Sequence, residues 1–126
     1  VEIIEEKKVD NKIPVLTLND LVMKQAEELH TPQLAPAREK TGSTDFGNVM
    51  RRVPGTCARI AFVDPGAAAH SQEYIAAGKT DAAHDAVVYG AKILAGTALE
   101  LIEDPELLNR VKTEFKENLA KENSEV

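Results

Sequence analysis

The run Thr41-Gly42-Ser43-Thr44-Asp45-Phe46-Gly47-Asn48 concentrates short polar side chains around two glycines. Backbone amides in such a run approach a ligand closely and suit an anion, although the same residue types also build plain turns. It is not a nucleotide loop, because no Gly-Lys-Ser/Thr closes it. His70 follows an apolar stretch in a loop of small residues, a place from which an imidazole reaches a metal in a cleft. The three histidines, His30, His70 and His84, show neither HxxxH nor HxH spacing, so an exposed structural histidine is the plainer reading of each. Cys57 sits within apolar neighbours and is expected to pack rather than react. Glu100, Glu103, Glu106, Glu114 and Glu117 read as solvated helix faces without the apolar pocket that would raise a carboxyl pKa.

The elements that must position these residues are legible as periodicities and breaks. Val1 to Lys8 begins with β-favouring residues and reads as an edge strand. Thr17 and Asp20 have the spacing of a capping pair, and Leu18, Leu21, Val22, Ala26 and Leu29 recur at helical spacing, with Lys24, Gln25, Glu27 and Glu28 on the other side. His30 to Gly47 is a long loop, and such loops in compact domains tend to be functional or disordered. Cys57 to Val63 is apolar on both parities except for Arg59, as in a strand covered on both faces. Ala67 to Lys79 is irregular. Thr80 or Asp81 caps a helix running to Ile102 without a wide polar face, which predicts a mostly buried helix. Asp104 caps a last helix with Pro105 at its first position and Leu107, Leu108, Val111, Phe115 and Leu119 as its stripe. The tail from Lys121 is expected to fray.

Composition narrows the function classes. The 126 residues form one domain's worth of chain and are 43% hydrophobic, enough to bury a core. Lys and Arg total 15 against 21 Asp and Glu, a net charge of −6 that repels phosphate backbones, so no nucleic acid is expected as partner. No apolar run approaches the ~20 residues that cross a bilayer, so no membrane is expected either. Aromatics are 4% with no Trp, too few for stacking platforms. A single cysteine and an opening VEIIEEKK without signal-peptide character point to a reducing, cytoplasmic setting.

GSTDFGNV at 42–49, the VPG turn at 53–55, AHSQEYIAAGK at 69–79 and the helical stretch DAAHDAVVYGAKILAGTALELIEDPELLNRVKTEF occur in this order. Over roughly Pro14 to Glu117 the chain resembles the co-catalytic zinc metallopeptidases, which include aminoacylases, glutamate carboxypeptidases and aminobenzoyl-glutamate hydrolase-type amidohydrolases. The resemblance implies an α/β fold class. Residues 1–13 would be the end of a lid or dimerisation domain with its last strand and the crossover. Residues 14–126 would be the C-terminal portion of an α/β/α catalytic domain.

The resemblance further implies a metal-dependent amidohydrolase acting on a small-molecule amide or peptide, an N-acyl or aminobenzoyl amino acid among them, and working as a homo-oligomer, a dimer. Its cofactor would be a pair of zinc ions, with manganese or cobalt as alternatives. His70 falls on the last histidine ligand; the HxD signature, the other ligands and the general-base glutamate are not found here. The chain alone is therefore expected to be inactive. Gly42, Ser43, Thr44 and Asp45 fall on the substrate loop that faces the amino-acid end, and Asn48 lies beside it as a contact or as a brace. Glu73 and His84 are weaker candidates, His84 being better read as structural. The alternative is a non-catalytic binding or interaction module on the same fold. As an isolated piece, the chain is expected to carry exposed apolar surface and unpaired sheet edges.

Overall fold

The computed structural model describes residues 1–4, 8–32, 34–35, 42 and 44–124. Within them the order is α1 (Leu16–Glu28), α2 (Phe46–Met50), α3 (Gln72–Ala77), α4 (Asp81–Glu103) and α5 (Pro105–Ser124). The long helices α1, α4 and α5 touch one another pairwise. Ahead of α1, Ile13 and Val15 point inward while Pro14 is exposed, the period-two alternation of extended chain. At 1% and 0% exposure they join Leu18, Leu21, Val111 and Phe115 in the main core, with Leu101, Leu107 and Leu119 against it. A second cluster joins Val22, Ala26 and Ile93, flanked by Leu29 and Ile60.

The start of α1 differs from the expected Thr17–Asp20 capping pair. Its N-cap is Val15, which has no capping side chain. Glu114 of α5 does the work from across the core, accepting the N–H groups of Leu16 at 2.6 Å and Thr17 at 3.0 Å. The core requires an apolar residue at position 15, so the oxygen that satisfies the free amides comes from another helix. Gln25, expected on the solvent side, is buried: it lies four residues after Leu21 and three after Val22, on the inward face. At the other end, His30 has φ 51°. Its N–H reaches the Glu27 carbonyl at 2.9 Å and the Thr31 N–H reaches that of Ala26 at 3.1 Å, a paired C-terminal cap that accounts for the left-handed residue.

The other two long helices begin as their sequence predicts. Thr80 accepts the Ala83 N–H at 3.3 Å, and Asp104 accepts that of Leu107 at 2.9 Å ahead of Pro105. α5 continues to Ser124 rather than fraying at Lys121, because Arg51 holds Asn123 and Glu122 while Asn11 holds Glu122 from the other side. The short helices α2 and α3 replace turn and irregular chain.

The strands are the main departure. Among the described residues there is no strand, so the α/β class and the terminal strand are not formed here and the architecture is helical. Residues 1–4 and 57–61 have no regular structure, and Cys57 is exposed rather than packed. A strand exists only through a neighbour about 4.8 Å away that accepts and donates its ladder bonds, and the described chain supplies none. α4 is likewise only half covered: Ala83, Ala86, Ile93 and Thr97 are buried, whereas Leu94 is 70% and Ile102 76% exposed. In all the chain exposes 9749 Å², against the ~6,600 Å² of a compact protein of this mass.

Candidate functional site

A cleft of about 490 Å³ is lined by Val9–Lys12, Gly42, Thr44 and Glu122. The glycine-rich run thus shares this cleft with the segment that precedes α1. Thr44 opens α2: its hydroxyl accepts the Phe46 N–H and its carbonyl that of Gly47, both at 3.3 Å. The Asp45 carbonyl accepts the Asn48 N–H at 3.0 Å. Gly42 has open space where a Cβ would stand, so packing does not require glycine there. At Gly47 a Cβ would collide with the Asp10 carbonyl oxygen, which makes glycine obligatory for the approach of the two backbones. Ser43 lies outside the described residues.

Asn48 is not directed at open cleft. Its Oδ1 accepts the Asp10 N–H at 3.1 Å and its Nδ2 donates to the Lys8 carbonyl at 3.0 Å. Its carboxamide thus ties α2 to the backbone of residues 8 and 10.

His70 is exposed and lies apart from this cleft, lining neither it nor the larger cleft of about 650 Å³ among α1, α4 and α5. Its φ is 64°, in the left-handed region that few non-glycine residues adopt, and unlike His30 it belongs to no helix end cap. It immediately precedes Ser71, which caps α3 by accepting the Tyr74 N–H at 3.4 Å. The Ser71 hydroxyl, helped by the residue's own amide, holds the Glu73 carboxyl below its ordinary range. Tyr74 meets Phe62 edge to face with ring centroids 5.2 Å apart, tying the histidine loop to the end of the extended segment. His84 is exposed in the first turn of α4.

Among the described residues no group of three or more His, Cys, Asp or Glu converges to hold a metal ion. A zinc site needs at least three protein ligands, so these residues do not by themselves fit a metal centre. None of the described helices is long and apolar enough to cross a membrane.

Sequence reasoning missed the opposite wall of the cleft, Val9 to Lys12, and its anchors Arg51 and Glu122. No local signal marks them, since Asn11 and Glu122 meet across almost the whole chain.

No family profile matches the chain. It is 42% identical over 82 residues to the Xaa-Arg dipeptidase of Mus musculus and 39% identical over 82 residues to that of Homo sapiens. The chain is similar in part to dipeptidases. Each match takes in 65% of this chain and 19% of the relative, so the chain spans about a fifth of the length of the curated relatives it matches.

Proposed function

We propose that this chain is the C-terminal part of the catalytic domain of a metal-dependent amidohydrolase or peptidase, with residues 1–13 leading in from a lid or dimerisation domain. The parent protein cleaves the amide C–N bond of a dipeptide or N-acyl amino acid. The observation that carries this reading is the 42% identity to an Xaa-Arg dipeptidase over 82 residues. Its support within the molecule is the large exposed area and the uncovered outer side of α4, both suited to a larger α/β/α body.

In this reading His70 contributes one imidazole to a metal centre, zinc by resemblance, whose other ligands lie elsewhere in the parent. This chain carries no step of the hydrolysis alone. Gly42, Ser43 and Thr44 receive the carboxylate end of the substrate through amides and hydroxyls, the donor set that a carboxylate favours. The deciding experiment replaces His70 by Ala in the full-length protein. Metal content and turnover of Xaa-Arg dipeptides and N-acyl amino acids are expected to fall together; near-normal values of both would defeat the assignment.

A second reading is a binding module that keeps the fold without hydrolysis, favoured by the absence of a three-ligand group among the described residues. A full-length protein that binds no zinc in calorimetry and turns over no amide would select it.

A further inference from the structure

Residues 8–12 have no regular secondary structure, yet Val9 to Lys12 line the cleft together with Gly42 and Thr44. One side chain ties down the first three of them, residues 8–10. Asn48 takes the Asp10 N–H at 3.1 Å and gives a hydrogen to the Lys8 carbonyl at 3.0 Å, so its carboxamide bridges the carbonyl and the amide on either side of Val9. A residue of a parallel strand would pair with Val9 through the same two groups. The carboxamide therefore stands in for a missing ladder partner. Gly47, directly before it, permits the approach, because any Cβ there would collide with the Asp10 backbone. A second tether lies beyond: Asn11 donates to Glu122 at 3.0 Å, and the Arg51 guanidinium holds the same carboxylate at 3.5 Å.

We propose that Asn48 is a positioning residue that holds residues 8–10 as the fixed wall against which Gly42 and Thr44 receive the carboxylate end of the substrate, without touching the substrate itself. The proposal rests on the carboxylate-loop reading above. Each polar end of the carboxamide holds a backbone group, so turning the side chain away toward a ligand would break both bonds and leave the Asp10 amide and the Lys8 carbonyl unpaired.

The test couples two readouts. In this chain, Asn48→Ala is expected to speed amide hydrogen exchange at Asp10 about five- to tenfold, while a core amide such as that of Val22 keeps its protection. Asn48→Asp, which retains the acceptor for Asp10 but loses the donor to Lys8, falls between. In the full-length protein, KM for an N-acyl amino acid rises in the same order, Ala above Asp above Asn, with kcat little changed. A rise in KM without faster Asp10 exchange would make Asn48 a substrate contact and overturn the proposal. So would faster exchange with unchanged KM in a protein whose Thr44→Val variant raises KM. If neither Asn48→Ala nor Thr44→Val moves KM, the carboxylate-loop reading itself fails and the proposal falls with it.

Discussion

The carboxylate of Glu114 closes the N-terminus of α1 from a different helix, accepting the Leu16 and Thr17 amides with its two oxygens. Partial burial pushes this carboxyl up, but the Thr17 hydroxyl and the two backbone amides outweigh it and hold it below its ordinary 4.5. A carboxyl whose pKa is lowered by folding stabilises the fold at pH above its unfolded value, and that contribution is lost as pH falls through the folded value. Glu114→Ala should destabilise the chain by about 1 kcal/mol near neutral pH, the worth of a helix N-cap. Urea denaturation at a series of pH values checks this: the gap between wild type and variant should close as pH drops below the carboxylate range.

Gly47 and Gly42 differ in what they permit. Gly47→Ala forces a Cβ into the Asp10 backbone, which no rotamer change relieves, and should cost about 1–3 kcal/mol. Gly42→Ala meets nothing within 4 Å and should leave thermal stability nearly unchanged. If the glycine run binds a carboxylate, only the full-length Gly42→Ala protein will show a raised KM at unaltered melting temperature.

Ile13 lies outside any helix and is nevertheless 1% exposed, wedged among Leu18, Leu21, Val111 and Phe115. Ile13→Ala should lose about 2–5 kcal/mol and lower the denaturation midpoint accordingly. A loss below 1 kcal/mol would mean that the segment leading into α1 is not part of the cooperative core.

Leu94 and Ile102 lie on the outer side of α4, and Val87, at 72% exposure, precedes Leu94 by about two turns on the same stripe. In the isolated chain a second copy is expected to cover this side, so light scattering should show association that grows with concentration. Leu94→Lys combined with Ile102→Lys should abolish it while changing the unfolding free energy by less than about 0.5 kcal/mol, since neither side chain is buried.

Periodicity and caps were legible wherever the deciding partner lies within one helical turn. The Thr80 and Asp104 caps, the Leu107 to Leu119 stripe and the inward positions Leu18, Leu21, Val22 and Ala26 all follow from spacing of three or four residues. The glycine-rich run reads in the sequence as a place where backbone amides approach a ligand, and the contact of Gly47 with the Asp10 backbone was not legible there. The short helices α2 and α3 escaped notice because a single turn carries too little periodicity to stand out from loop.

What the residues of this chain determined alone is therefore local: the caps that start α4 and α5 and the apolar stripes. Tertiary structure decided everything that depends on partners far along the chain. It decided that Glu114 rather than Thr17 and Asp20 serves the start of α1, and that Asn48 braces residues 8–10. It also left Cys57 to Val63 without a ladder. The physical reason is common to all three. A backbone amide or carbonyl must find a partner somewhere, and composition and spacing say that a partner is needed without saying which distant residue supplies it.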